Sequence, residues 1–168
     1  MGTDHTSTAS TTEETSEETT SHLLARTAVV VVSYAAPELL ESNLTQVCRD
    51  VPEARFVVVD SFSTPEAREA TLALAREHDW TVETPDTNTG FGGGVNLGAA
   101  RARAEGAEIL LLLNPDATIS RENLIRLVSR VRAEPLTLVA PVLTNSEGRV
   151  VADRTVVCLA DGSMRSPR

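Results

Sequence analysis

The residues best suited to chemistry close the stretch Ile109–Asp116, which reads I-L-L-L-L-N-P-D. A carboxylate that follows a buried strand can hold a hard divalent cation, and a cation held there can hold a diphosphate. Asp116 is that carboxylate. The apolar run Ile109 to Leu113 is far too short to span a bilayer and suits a strand buried on both faces, as in a parallel sheet covered by helices. Asn114 can turn and Pro115 cannot stay in a central ladder, so Asp116 arrives at the strand's carboxyl end. Open α/β sheets bind their ligands at that edge. The same three residues also suit a plain turn, with Asp116 bonded to its own backbone.

A second stretch, Asn88–Gly98, reads N-T-G-F-G-G-G-V-N-L-G and holds five of the chain's nine glycines. It passes into Ala99–Ala104, a strong helix former. A glycine loop entering a helix offers bare N–H groups and the positive end of the helix dipole, which together suit a diphosphate. The alternative is a flexible surface loop, against which stand Phe91 and the helix that follows. The dinucleotide fingerprint fits poorly. Gly92-x-Gly94 is followed by Leu97 where a third glycine should stand, and no strand directly precedes it.

These residues need strands and helices to position them. Ala28–Val32 is a β-branched run ending in Ser33-Tyr34, and Arg55–Asp60 is a second apolar run closed by an acid. Trp80–Glu83 reads as a short third strand, Ile109–Leu113 as a fourth and Leu136–Val142 as a fifth. Helices alternate with them. One starts at Pro37 and carries Leu39, Leu40, Leu44 and Val47 at helical spacing as far as Cys48. The next is capped by Thr64, begins at Pro65 and runs to His78. A later one follows Ser120, with Leu124, Ile125, Leu127, Val128 and Val131 on one face. It carries Glu122 in its first turn and Arg130 and Arg132 in its last. Asn145–Gly148 is a turn, Val150-Val151 and Thr155–Leu159 suit an edge strand or hairpin, and Asp161–Arg168 reads as unstructured. The pattern is α/β with a mostly parallel central sheet.

At 168 residues, 41% of them hydrophobic, the chain has length for one domain with a proper core. The division expected is an acidic disordered tail over 1–24, a folded domain over 25–160 and a flexible end over 161–168. The net charge is −9, and residues 1–22 hold five acids and no Arg, so the remainder carries about −4. No basic patch interleaved with aromatics is present, which argues against nucleic acid. All fifteen basic residues are Arg. That excludes a Schiff-base lysine and a Walker phosphate loop. Cys48 and Cys158 fit reduced thiols of a cytoplasmic protein, and His5, His22 and His78 form no metal cluster. Nothing resembles a secretion signal; Met1-Gly2 with Thr6 formally matches a myristoylation pattern, and Asn43-Leu44-Thr45 formally matches a sequon inside a helix.

Four features line up in order: the strand ending Ser33-Tyr34, the strand ending Asp60, N-x-G-F-x-x-G-x-N-x-G from Asn88 to Gly98, and L-L-L-N-P-D ending at Asp116. Together, over roughly residues 27–150, they resemble the nucleotide-sugar-binding half of family 2 glycosyltransferases, particularly rhamnosyltransferase-like members. The resemblance implies a GT-A fold, a Rossmann-like three-layer sandwich incomplete at its C-terminal side. It also implies inverting transfer from a dTDP- or UDP-sugar to an acceptor hydroxyl of a glycan or lipid-linked acceptor. Such chemistry belongs to cell-envelope polysaccharide synthesis, in the cytoplasm or at the inner face of the membrane.

By the same resemblance Ser33, Tyr34 and Asp60 line the nucleoside pocket. Asn88, Gly90, Phe91, Gly94 and Asn96 shape the donor wall, and Asp116 holds Mg²⁺ or Mn²⁺ with Asn114 nearby. The family usually has Asn directly after Ser-Tyr, where Ala35 stands, and Asp-Asn-x-Ser, where Ser61 follows Asp60. Its catalytic base lies well downstream, and Glu147, Asp153 and Asp161 carry no mark of that role. The chain therefore resembles a donor-binding half, as a fragment or a truncation, completed by a missing C-terminal half or a second copy. The alternatives are a non-catalytic nucleotide-sugar-binding or interaction module, and a sugar nucleotidyltransferase. The latter is disfavoured by the lack of lysines and of a basic glycine-rich N-terminal loop.

Overall fold

The β-branched runs form strands because they pack well on a pleated surface buried on both sides. In the computed structural model the described residues are 19–134, 137–152, Val156–Val157 and Met164–Arg165. They divide into two units, one up to Val128 and one from Ser129. Among them no helix is long and apolar enough to cross a membrane.

In the first unit, β1 (Thr27–Ser33), β2 (Arg55–Asp60), β3 (Thr81–Glu83) and β4 (Ile109–Leu112) form one parallel sheet in the order β3-β2-β1-β4. Short helix α1 (19–25) precedes β1. Helix α2 (Pro37–Leu39), a π-turn (Leu40–Leu44) and α3 (Thr45–Asp50) connect β1 to β2. Helix α4 (Pro65–His78) leads to β3, α5 (Gly90–Ala104) to β4, and α6 (Arg121–Ala133) follows. Right-handed crossovers put the connections from β1 to β2 and from β2 to β3 on one face, and the return over α5 on the other. Packing agrees, since α4 lies against α2 and the π-turn while α5 lies against β1 and β2. Period-2 alternation then splits the core. Ala28, Val30 and Val57 join Ala102, Ala107 and Leu110 under α5, while Val29, Val31, Phe56 and Val58 are buried toward the opposite layer. Each fully buried Val contributes about 1.5–3 kcal/mol.

Several expectations are met locally. Thr64 Oγ1 accepts from the Ala67 N–H at 3.2 Å, and α4 ends at His78 with Asp79 in the left-handed conformation. Ser120 Oγ accepts from the Asn123 N–H at 3.3 Å.

Others are corrected. Residues 19–25 are helical and Leu24 is fully buried, so structure begins earlier than the tail assigned to 1–24 allows; residues 1–18 lie outside the described set. An apolar Leu23-Leu24 pair gives that segment a reason to pack. β4 is not buried on both faces: among the described residues it pairs with β1 alone, and Leu112 is 51% exposed. Its register ends opposite Val30, short of the end of β1. The glycine stretch is not a loop either. It is the first turns of α5, because Gly94 and Gly98 are buried against the sheet. A Cβ on Gly94 would stand 2.7 Å from Val32 Cγ1, and one on Gly98 would stand 2.5 Å from Val30 Cγ1. Glycine lets this helix lie closer to the strands than any side chain permits.

Arg121 opens α6 and pins it to the turn before β2. Its Nη1 and Nη2 donate to the two carboxylate oxygens of Glu53 at 2.7 and 2.5 Å. The Arg121 hydrogen bond holds the Glu53 carboxyl below the usual glutamate range. A depressed carboxyl contributes stability that is present above its unfolded pKa and lost as pH falls through the folded one. Arg121 is partly exposed, so solvent screening reduces the contribution to about 0.5–1 kcal/mol. Glu53→Gln should therefore destabilise by that amount at neutral pH, read by urea unfolding, with the difference closing in acid. A difference unchanged in acid would contradict it.

In the second unit, β5 (Leu143–Thr144) and β6 (Val150–Ala152) form an antiparallel hairpin about the expected turn. Asn145 Oδ1 accepts from the Glu147 and Arg149 N–H groups at 3.1 and 2.9 Å, and Gly148 has φ +76°. The strand expected over Leu136–Val142 is not formed by 137–142, and Leu136 lies outside the described residues. Pro141 has no N–H for a ladder, so pairing starts after it. β7 (Val156–Val157) pairs antiparallel with β8 (Met164–Arg165), so the end of the chain is not wholly unstructured: its β-branched pair has an extended partner. Thr155, Cys158, Leu159, Asp153 and Asp161 lie outside the described residues.

Candidate functional site

β1 and β2 end side by side, with Ser33 paired opposite Asp60. Both are buried, and the Ser61 N–H donates to the Ser33 carbonyl at 2.8 Å, which carries the ladder one residue further. A buried carboxylate needs a partner, and Asp60 has one. Arg68 of α4 donates its Nε–H to Asp60 Oδ2 at 2.6 Å and an Nη2–H to the Pro85 carbonyl at 2.6 Å. The same guanidinium lies 4.6 Å from the centre of the Phe62 ring.

Tyr34 follows β1 and is 60% exposed. Next to it Ala35 has φ +51°, a left-handed conformation that crowds a Cβ and that Asn tolerates better. The Asn usual in the resembled family has a backbone reason at this position. Ala35→Asn should raise stability by about 1 kcal/mol or less, seen as a higher urea midpoint; a lower midpoint would contradict it.

The amino end of α5 is set by Asn88. Its Oδ1 accepts from the Gly90 N–H at 2.7 Å and from the Ser61 hydroxyl at 3.0 Å. Gly90 has φ +69°, which glycine adopts freely. Phe91 is 61% exposed in the first turn, and Asn96 is exposed farther along the helix. Gly94 is buried in the contact with Val32 rather than open at the edge.

β4 leaves the sheet where the Leu113 N–H donates to the Val30 carbonyl at 3.0 Å. The chain then turns, the Ala117 N–H donating to the Asn114 carbonyl at 3.1 Å, and Asn43 Nδ2 of the π-turn donates to the Pro115 carbonyl at 2.9 Å. Asp116 is exposed and makes no hydrogen bond or ion pair among the described residues. The turn exists, held by backbone and Asn43, and the Asp116 carboxylate takes no part in it. No group of three or more His, Cys, Asp or Glu is gathered among the described residues. One open carboxylate fits a cation that takes its other ligands from phosphate and water.

Ser33, Tyr34, Asp60, Asn88, Gly90, Phe91, Asn114 and Asp116 thus all follow or end strands at the carboxyl edge. β1 and β4 flank the point where the strand order reverses, which is where open α/β sheets bind ligands. Gly94 and Asn96 lie deeper along α5. A cavity of about 360 Å³ opens at the opposite edge, lined by Arg55, Phe56, His78, Asp79 and Glu105, at the wrong end of the strands for that rule. Sequence reasoning passed over Asn43, Ser61 and Arg68. The available signals were an Asn in a helix it does not favour and an Arg one turn past the N-terminus of the helix that follows Asp60.

A family model for glycosyl transferase family 2 matches residues 28–158. The low-salt glycan biosynthesis hexosyltransferase Agl10 of Haloferax volcanii is 28% identical over 121 residues, 71% of this chain and 37% of that protein. The structure is similar to the mannosyltransferase PcManGT of Pyrobaculum calidifontis, solved with GDP-Man and Mn²⁺. The TM-score is 0.55, with 26% identity over 66% of this chain and 33% of the other. It is also similar to S. aureus TarS 1–349, solved with UDP-GlcNAc, with a TM-score of 0.51. There the identity is 22%, over 64% of this chain and 31% of the other, a likeness of fold alone. The chain spans about a third of the length of these relatives.

Proposed function

The chain belongs to glycosyl transferase family 2 and has the GT-A fold, and from this we propose that its carboxyl edge binds a nucleoside diphosphate sugar for metal-assisted, inverting transfer to an acceptor hydroxyl. The observation that carries the reading is the open Asp116 carboxylate beside the point where strand order reverses. Asp116 would hold Mg²⁺ or Mn²⁺, with Asn114 nearby. The cation's chemistry is to stabilise charge on the departing diphosphate. The N–H groups at the start of α5, fixed through Asn88, suit phosphate oxygens. Ser33 and Asp60, which end β1 and β2, and the exposed Tyr34 that follows β1 would line the nucleoside side, and the exposed Phe91 would offer an apolar face to the sugar or base.

The hexosyltransferase relative and the GDP-Man and Mn²⁺ complex support a hexose donor and a divalent cation. A dTDP- or UDP-sugar donor and a glycan or lipid-linked acceptor in envelope polysaccharide synthesis, on the cytoplasmic side, complete the proposal. Because the chain spans about a third of its relatives, nucleotide-sugar binding without transfer is the second reading. Incubation with dTDP- and UDP-hexoses, Mn²⁺ and a mixed glycan acceptor separates the two. Release of nucleoside diphosphate is expected for the transferase; binding with no release would leave the non-catalytic module.

A further inference from the structure

We propose that Arg68 and Ser61 are positioning residues, which clamp segment 84–89 to the end of β2 and so fix the first turn of α5; their effect on donor binding rests on the donor-site reading above. The segment is poorly held otherwise. Thr84, Asp86, Thr87, Asn88 and Thr89 are exposed, and no backbone hydrogen bond between elements reaches 84–89 among the described residues. Its tethers are side chains. Arg68 Nη2 donates to the Pro85 carbonyl at 2.6 Å, and the Ser61 hydroxyl donates to Asn88 Oδ1 at 3.0 Å.

Both tethers start from one rigid place. Asp60 and Ser61 are adjacent and buried at the end of a central strand, and Asp60 Oδ2 holds the Arg68 Nε–H at 2.6 Å. Phe62 lies against the guanidinium, so its direction is set on two sides. The tethers land three residues apart, on Pro85 and Asn88. Asn88 passes the constraint on, because the oxygen that accepts from Ser61 also accepts from the Gly90 N–H at 2.7 Å. The strand end therefore orients Asn88, and Asn88 orients the amino end of α5. Arginine suits the task because its planar fork can serve a carboxylate and a carbonyl in different directions at once, which a lysine ammonium does with less definition. Ser61, at the place where the resembled family has Asn, supplies the second tether, from its hydroxyl to the Asn88 side-chain amide.

Amide hydrogen exchange at Gly90 and over 94–96, the first hydrogen-bonded N–H groups of α5, tests the clamp directly, on wild type, Arg68→Lys and Ser61→Ala. Lysine keeps a positive charge beside buried Asp60, so the domain still folds, whereas Arg68→Met would strand the carboxylate. Exchange at these N–H groups should rise about tenfold in both variants while β1, β2 and α4 stay protected. Titration of UDP with Mn²⁺ into the same proteins should show affinity lowered about tenfold. Unchanged exchange at Gly90 and over 94–96 overturns the clamp, as does a rise shared equally by β1 and β2, which would mean general loosening. Raised exchange in the variants, with no nucleotide bound by wild type or variants, supports the clamp and sinks the donor-site reading instead.

Discussion

Gly98→Ala is expected to destabilise the domain by about 2–3 kcal/mol, although alanine is the better helix former by about 1 kcal/mol. The new Cβ would meet Val30 Cγ1 at 2.5 Å and Val59 Cγ2 at 3.0 Å. Those methyls belong to β-branched residues in the two central strands, held on both sides by the register of β1 with β2. They cannot swing away as the tip of a long side chain could. Relief requires α5 to lift from the sheet, which opens contacts along Ala102 and Ala107 as well. Gly92 is the internal control. It lies in the same helix with nothing within 4 Å of an added Cβ, so Gly92→Ala should stabilise by up to about 1 kcal/mol. Urea midpoints at constant m-value read both. If the two substitutions moved stability the same way, close packing would not be what those glycines are for.

This helix also shows what the sequence could and could not disclose. Glycine serves flexible loops and close helix–sheet contacts equally, and composition does not separate them; only the distance to Val30, Val32 and Val59 does. Signals that act within a few residues were readable. Thr64 and Pro65 start α4 where expected, and Asn145 and Gly148 close their turn. Those that depend on distant partners were not. The apolar run at Ile109 says nothing about lying at an edge, which follows from which strand pairs beside it. Likewise nothing near Arg68 in the chain names Pro85 as its acceptor, and nothing near Asn43 names Pro115. The carboxyl-edge placement of Ser33, Asp60 and Asp116 was readable because each one ends or follows an apolar run.

The second large effect is expected at Asp116, where replacement by alanine should lower Mn²⁺-dependent nucleotide affinity by on the order of 100-fold. The carboxylate is exposed, and turn residues 114–117 are held by the Asn114 carbonyl and by Asn43, so its loss leaves the turn standing. Stability should therefore change by no more than about 0.5 kcal/mol. The defect should be confined to the metal-dependent part of binding, because no group of three or more His, Cys, Asp or Glu is gathered among the described residues to hold the ion in its place. A variant that loses metal dependence and stability together would point to a structural role for Asp116.

Calorimetric titration of UDP and dTDP with and without Mn²⁺ tests most directly whether the carboxyl edge is a metal-assisted donor site. Wild type is expected to bind at least one of the two nucleotides, more tightly with Mn²⁺, and Asp116→Ala to lose the gain that Mn²⁺ brings. A folded wild type that binds neither nucleotide, or binds equally with and without the cation, would contradict it.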